Sequence, residues 1–188
     1  MHNGQNDAMN ASKHLFLTGY RGTGKSTIGR HLAGQLSRRC VDLDEEIERR
    51  VGKTIRQIFD EGGEEAFRHF EAEALEAVTQ AEASVIALGG GAIIKEENRR
   101  LIAKTGWCCW LNADAETILG RIHGDVTTSQ RRPALTNLSE LEEIRQLLAH
   151  RQPLYESASD FRVEVAKQTP EQIADEVKRQ WDAANGSI

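Results

Sequence analysis

The chain has 188 residues, of which 39% are hydrophobic and 28% charged, and its formal net charge is −5 at pH 7. This length suits one domain with a substantial core, and the composition is that of a soluble globular protein. The acidic balance argues against a general nucleic-acid or membrane-surface binder, and no run of about 18 apolar residues is present that would span a membrane.

The N-terminal segment and the cysteines indicate a cytoplasmic protein. Residues 1–12 are polar and have neither the basic start nor the apolar middle of a signal peptide. We expect them to form a disordered extension, and residues 13–188 to form a single domain. The three cysteines are odd in number, and Cys108 and Cys109 are adjacent, so reduced thiols are expected rather than a disulfide framework.

The first half of the chain alternates short apolar runs with helical patterns. In chain order it predicts a strand over 14–18, a helix over 25–38, a strand over 40–43, a short helix over 44–51, a helix capped by Thr54 and ended by Gly62 and Gly63, a long helix over 64–81 and a buried strand over 84–88.

The second half continues the same alternation. It predicts a helix near 95–104, a strand over 107–111, a helix near 114–122, a polar segment, a helix over 139–157 with a kink or break at Pro153, a strand over 161–165 and a helix opened by Pro170. Five buried strands that alternate with helices predict an α/β fold, in which a five-stranded parallel sheet is flanked by helices.

A phosphate-binding loop is the sharpest local motif. Residues 19–26 read GYRGTGKS, which satisfies G-x-x-x-x-G-K-[ST], and they lie between a predicted strand and a predicted helix. Glycines let backbone N–H groups converge on phosphate oxygens at a helix N-terminus, Lys25 can reach the β- and γ-phosphates, and the Ser26 hydroxyl can bind Mg²⁺. Nucleotide binding is therefore favoured over an ordinary glycine-rich turn, with a predicted ATP-binding set of Gly22, Thr23, Gly24, Lys25, Ser26 and Thr27.

Two aspartates follow the second predicted strand. Asp42 and Asp44 form D-x-D at the point where a helix begins. One carboxylate can serve Mg²⁺ through water while the other receives a hydroxyl proton. The alternative is that Asp44 only caps the following helix.

Further along, two arginines and a run of glycines suggest an anion-binding site. Arg68 and Glu71 are neighbours three residues apart on a predicted helix, for which a surface ion pair is the simpler interpretation. Three consecutive glycines, residues 89–91, follow a buried strand and suit a place where a ligand approaches the main chain closely. Arg151 stands just before the expected helix break at Pro153.

From residue 14 to about residue 181 the chain resembles the shikimate kinase family. The resemblance depends on several motifs in order: G-x-x-G-x-G-K-S-T at 19–27, D-L-D at 42–44, G-E-x-x-F-R-x-x-E at 63–71, G-G-G at 89–91, R-R-P at 131–133 and R-x-P-L-Y at 151–155. Many NTPases share the first motif, whereas the combination of the others is much more specific. It implies a P-loop NTPase fold of the nucleoside-monophosphate-kinase type with a mobile lid.

The resemblance also implies roles on the acceptor side. Arg68 and Arg151 would clamp the shikimate carboxylate, a planar anion suited to guanidinium groups. Glu71 would orient Arg68, and Asp44 would hold the ring hydroxyls and orient or deprotonate the attacking one. The turn formed by Gly89, Gly90 and Gly91 would pack against the ring, with the Gly90 N–H as its hydrogen bond to the substrate.

On the nucleotide side, residues 123–136 correspond to the lid of this family. Arg132 would enter the site on closure and neutralise charge on the transferring phosphoryl group. Arg121 would lie beside the adenine or the phosphates. Gln168 stands where a basic residue is expected beside adenine, and its amide can still hydrogen-bond or stack.

The implied activity is transfer of the ATP γ-phosphoryl group to the 3-hydroxyl of shikimate, in chorismate and aromatic amino-acid biosynthesis. Lys25, Asp44 and Arg132 would be catalytic, and Mg²⁺ would be held by Ser26 and, through water, by Asp42. We expect a monomer whose partners are small molecules, not nucleic acid or a membrane. A gluconate kinase or a catalytically dead nucleotide-binding module are the alternatives; the first should lack the acceptor motifs, and the second should lack one of the catalytic residues.

Overall fold

The computed structural model describes residues 13–124 and 139–185. The strands are β1 (His14–Thr18), β2 (Cys40–Asp42), β3 (Val85–Ala87), β4 (Gly106–Asn112) and β5 (Phe161–Glu164). The helices are α1 (Lys25–Gln35), α2 (Leu43–Val51), α3 (Ile55–Thr79), α4 (Glu96–Thr105), α5 (Ala115–Gly124), α6 (Glu140–Ala158) and α7 (Pro170–Asn185), with a short 3-10 helix at Ala92–Ile94. The expected N-terminal extension, and residues 125–136 of the expected lid, lie outside the described residues.

The strands form one parallel sheet in the order β2-β3-β1-β4-β5, so that β1 lies at the centre. Successive side chains of a strand point to opposite faces. Leu15 and Leu17 accordingly pack in one apolar cluster with residues of α1 and α7, and Phe16 packs in a second cluster with residues of α2 and α3. Both faces of the sheet are therefore covered, which confirms the predicted fold class.

The carboxyl ends of the strands share one edge of this sheet, and ligands of open α/β folds bind at that edge. The phosphate-binding loop follows β1, the D-x-D aspartates lie at the junction of β2 and α2, and the glycine turn follows β3. The segment that contains Gln168 follows β5. The parallel sheet therefore brings together segments that are distant in the sequence.

One predicted helix break is confirmed and another is wrong. The expected end at Gly62 and Gly63 is confirmed, because Gly63 adopts the non-helical values φ 66° and ψ −167°, and α3 therefore consists of two helical segments that meet at a kink, the second of which runs to Thr79. Only glycine adopts this backbone region without strain. The expected break at Pro153 is wrong, since α6 continues through it to Ala158. Proline removes an N–H partner from the carbonyl of Ala149, but that residue is exposed, so water can replace the lost bond.

The remaining boundaries agree with the prediction to within three residues, and helix and strand ends commonly fray by one or two. The described part of the chain includes no helix that is both long and apolar enough to cross a bilayer.

Candidate active site

The phosphate-binding loop is held by contacts within itself. Gly22 and Gly24 have φ values of 80° and 93°, in the left-handed region that glycine adopts freely. The buried Thr23 hydroxyl donates to the Tyr20 carbonyl at 2.8 Å, which closes the turn. The Lys25 ammonium donates to the Gly19 and Tyr20 carbonyls at 2.8 and 2.9 Å, so this cation is held over the loop at the N-terminus of α1.

Ser26 and Asp42 meet between the loop and β2. The Ser26 hydroxyl donates to Asp42 Oδ2. The other carboxylate oxygen, Oδ1, accepts from the backbone N–H groups of Asp44 and Glu45 at 3.0 and 3.3 Å, which makes Asp42 the N-cap of α2. A hydroxyl and a carboxylate thus lie together at the phosphate end of the site, and oxygen ligands of this kind suit Mg²⁺.

The capping alternative for Asp44 is wrong. Asp42 occupies the N-cap position, and Asp44 lies one residue inside the first turn of α2 with a half-buried side chain. The Asp44 carboxylate is therefore not the N-cap of α2. It stands at the edge of the sheet that carries the loop and the glycine turn.

Arg68 and Glu71 form the ion pair that their spacing predicts, but not on the surface. Arg68 Nη1 lies 2.7 Å from Glu71 Oε2, and the two side chains are 11% and 0% exposed. Glu64 Oε1 lies 3.1 Å from Arg68 Nη2. Burial opposes the charge on Arg68, but the Glu71 and Glu64 carboxylates outweigh it and raise the pKa of the guanidinium. The surface interpretation fails because Glu71 lies on the core side of α3, where Phe67 also packs.

The glycine turn, residues 89–91, packs against both the phosphate-binding loop and the Arg68 side chain. A Cβ on Gly91 would lie 2.7 Å from Arg68 Nη1 and 2.8 Å from its Cζ, so the guanidinium rests directly on the main chain. A Cβ on Gly90 would lie 3.4 Å from the backbone N of Arg21, in the phosphate-binding loop. An alanine at position 91 would therefore displace the Arg68 guanidinium, whereas the approach of Gly90 to the phosphate-binding loop is an ordinary van der Waals contact.

Arg151 approaches the same turn from α6. Its Nη1 lies 3.4 Å from the Gly90 carbonyl, and its guanidinium carbon lies 5.8 Å from the centre of the Tyr20 ring. Tyr20 therefore joins the phosphate-binding loop to Arg151, because its carbonyl accepts from Lys25 and its ring lies beside the Arg151 guanidinium. Arg68 and Arg151 thus flank the glycine turn, one at Gly91 and the other at Gly90.

Sequence reasoning gave no role to two residues that the structure places at this site, Tyr20 and Tyr155. Tyr20 occupies a variable position of the phosphate-binding loop, where the motif carries no information. Tyr155 belongs to the R-x-P-L-Y motif, four residues after Arg151 and therefore on the same face of α6. Its hydroxyl donates to the Gly90 carbonyl at 2.7 Å, and this helical spacing was the available signal.

The expected adenine-side residues lie near the loop and the end of β5. Arg121 donates to the Thr23 carbonyl at 3.2 Å and to the Val165 carbonyl at 2.7 Å, which ties the phosphate-binding loop to the segment after β5. The Gln168 amide donates to the Glu164 carbonyl at 2.7 Å. Arg132, expected on the lid, lies outside the described residues.

Comparison with known proteins gives a consistent result. The family model described as shikimate kinase matches residues 21–182. A shikimate kinase of Rhodopirellula baltica is 46% identical over 176 residues, which are 94% of this chain and 92% of that protein. A shikimate kinase of Vibrio parahaemolyticus is 39% identical over 90% of this chain and 96% of its own length.

Solved structures agree. The shikimate kinase of Acinetobacter baumannii in complex with shikimate is 32% identical and superposes with a TM-score of 0.87, over 97% of this chain and 99% of that one. A gluconokinase of Sinorhizobium meliloti superposes with a TM-score of 0.58 at 14% identity, which indicates a common fold alone. By its family match, its relatives and its fold, this chain belongs to the shikimate kinase family.

Proposed function

We propose that this protein transfers the γ-phosphoryl group of ATP to the 3-hydroxyl of shikimate, giving shikimate 3-phosphate for chorismate and aromatic amino-acid biosynthesis. One observation carries the proposal: the glycine turn that lies between Arg68 and Arg151 packs directly on the phosphate-binding loop. An anionic acceptor held by the two arginines would thereby be adjacent to the phosphates of ATP.

On the acceptor side, the two guanidinium groups bind the carboxylate of shikimate. Charge-assisted bonds from planar guanidinium groups suit a carboxylate, and the buried Glu71 fixes the orientation of Arg68. Asp44 orients or deprotonates the attacking hydroxyl, and the Gly90 N–H donates to the ring. The half-buried position of Asp44 next to the Asp42 N-cap, at the edge of the sheet that carries the phosphate-binding loop, supports this role.

On the nucleotide side, backbone N–H groups of the loop from Gly22 to Thr27 hold the phosphates, and Lys25 stabilises charge on the transferring group. Arg132 adds a second cation from the lid. Arg121 borders the adenine or the phosphates, which its bond to the Thr23 carbonyl supports, and Gln168 borders the adenine.

The residues present fit an Mg²⁺ ion. Ser26 would hold it directly and Asp42 through water, as their adjacent oxygen atoms allow. When bound, the ion neutralises charge on the β- and γ-phosphates. The protein supplies the position of both oxygen atoms, because Asp42 is fixed as the N-cap of α2.

We further propose that the enzyme acts as a monomer in the cytoplasm, on small molecules alone. The described site residues belong to adjacent elements of one chain, which supports a monomer. The net charge of −5 disfavours nucleic acid or an anionic membrane as a partner.

A coupled assay of ADP production tests the reaction, with shikimate, quinate and gluconate as separate acceptors. We expect turnover with shikimate at a kcat/KM far above that of the other two, and dependence on Mg²⁺. A preference for gluconate would support the related sugar-acid kinases, and no turnover with any acceptor would support a non-catalytic nucleotide-binding protein.

A further inference from the structure

Tyr155 has a polar contact that its packing does not require. The side chain is fully buried, and its ring stacks on Trp110 with centroids 5.7 Å apart and an angle of 19° between the ring planes. Phenylalanine would make the same stack. The hydroxyl of Tyr155 adds a polar contact, because it donates to the Gly90 carbonyl at 2.7 Å.

The glycine turn needs such a restraint. Residues 89–91 have no side chains, so their backbone has more conformational freedom than any other residue type allows. The turn must nevertheless hold one position, because Gly90 packs on the phosphate-binding loop and Gly91 packs on the Arg68 guanidinium. A buried hydrogen bond to the Gly90 carbonyl fixes the peptide that joins these two glycines.

The same carbonyl also faces Arg151. The Arg151 Nη1 lies 3.4 Å from it, a long and therefore weak hydrogen bond, whereas the Tyr155 hydroxyl lies at 2.7 Å. Because tyrosine makes the shorter bond to this buried oxygen, the Arg151 guanidinium is held to it only weakly and can bind an anion. Without the hydroxyl, Arg151 would still be a donor to the Gly90 carbonyl.

We propose that Tyr155 is a positioning residue for the acceptor: its hydroxyl holds the Gly90 carbonyl, which fixes the glycine turn against Arg68 and leaves Arg151 available for the substrate carboxylate. Tyr155 acts through the turn and through Arg151, and it does not touch the reacting atoms. The inference deepens the proposed function and rests on it for the identity of the acceptor.

The kinetic test is Tyr155→Phe, which removes the hydroxyl and keeps the ring. We expect KM for shikimate to rise about three- to tenfold, the loss of one buried hydrogen bond, while KM for ATP and kcat stay within about twofold. The matched control is Thr105→Val, which removes the hydrogen bond of 2.7 Å from the Thr105 hydroxyl to the Leu101 carbonyl. Thr105 ends α4 just before β4 begins, so it lies at the opposite edge of the sheet from the site. The control should leave both KM values unchanged. Equal changes in both KM values, or no change in either, would overturn the proposal.

Amide hydrogen exchange on the enzyme without substrates provides a second readout. The N–H groups of Ala92 and Ile94 donate to the Gly89 and Gly91 carbonyls, so a loosened turn should expose them. We expect exchange in the peptide that contains these amides to be about three- to tenfold faster in Tyr155→Phe and unchanged in Thr105→Val. Unchanged exchange in both variants would overturn the restraint on the turn. This readout needs no acceptor, so failure of wild-type turnover with shikimate would reject the proposed reaction separately.

Discussion

The nucleotide half and the acceptor half of the site are built in different ways. The phosphate-binding loop is one segment of eight residues, and its internal bonds join residues at most six positions apart. The acceptor half instead assembles Arg68 from α3, Gly90 from the turn after β3 and Arg151 from α6. The local half requires little of the rest of the protein, whereas the acceptor half exists only when three elements are packed correctly.

This difference separates the consequences of mutation. Substitutions in the phosphate-binding loop should lower the rate of phosphoryl transfer and leave the fold intact, because the loop presents backbone N–H groups and one lysine at a surface edge of the sheet. Variants of the acceptor half should affect binding of one substrate, and some should also affect stability, because a buried ion pair belongs to the core of that half.

The largest effect on activity is expected in the nucleotide half. Lys25→Met should lower turnover by about 10³-fold or more, since it removes the cation that stabilises charge on the transferring group. The melting temperature should stay within a few degrees of the wild-type value. Steady-state kinetics and differential scanning calorimetry measure both, with Lys104→Met, an exposed lysine of α4, as the matched control. A folded and fully active Lys25→Met variant would remove this lysine from the mechanism.

Asp44→Asn should have the next largest effect. The substitution keeps shape and removes charge and basicity, so kcat should fall by about 10²–10⁴ if Asp44 orients or deprotonates the hydroxyl. Capping cannot account for a loss, because Asp42 is the N-cap of α2. Single-turnover kinetics and thermal melting should show a slower chemical step at nearly constant stability. Near-normal kcat would deny Asp44 its catalytic role, and Asp60→Asn on the exposed face of α3 is the control.

The two arginines should differ from each other in stability although they act on the same substrate. Arg68→Ala and Arg151→Ala should each raise KM for shikimate about ten- to a hundredfold, and far more than KM for ATP. Only Arg68→Ala should also lower the free energy of unfolding, by about 3–5 kcal/mol, since it leaves the Glu71 carboxylate buried.

Urea unfolding and substrate-dependent kinetics on both variants test this contrast. Arg145→Ala, which changes an exposed arginine of the same helix as Arg151, should alter neither quantity. Equal effects on the KM values of ATP and shikimate would place the two arginines outside the acceptor half.

The smallest effect concerns a residue at the other edge of the sheet, which belongs to neither half. His14 is buried, its Nδ1 accepts from the Ser84 N–H at 3.1 Å, and its Nε2 lies 3.3 Å from the Thr79 carbonyl. Burial lowers the pKa of His14, and the Arg38 charge lowers it further. The unfolded chain therefore binds a proton that the folded protein excludes, so stability is complete above about pH 6.5 and is lost as the pH falls below it.

The free energy of unfolding should therefore decrease as the pH falls from about 7.5 to about 5.5. His14 contributes at most about 1.4 kcal/mol per pH unit to this decrease. His14→Gln, whose amide can accept from Ser84 and donate to Thr79, should reduce this slope and leave both KM values unchanged. Urea unfolding at the two pH values measures it. An identical slope in the two proteins would assign the pH dependence to other groups.

The sequence by itself determined the alternation of strands and helices, the parallel sheet and the phosphate-binding loop. These features depend on short-range patterns: buried runs of β1 and β4, helical spacing in α1, and glycines at positions that require positive φ, such as Gly22 and Gly24. Local patterns of this kind are readable because the residues that cooperate are close together in the chain.

Only the tertiary structure decided how the acceptor half is assembled. Spacing predicted the pair of Arg68 and Glu71 but placed it on the surface, because the sequence does not say which face of α3 meets the sheet. The sequence also allowed Asp44 to be the N-cap of α2, whereas the side chain of Asp42 is the one that caps this helix. It gave no role to Tyr155, whose acceptor is 65 positions away. Contacts between elements depend on how the layers pack, and no short-range pattern encodes them.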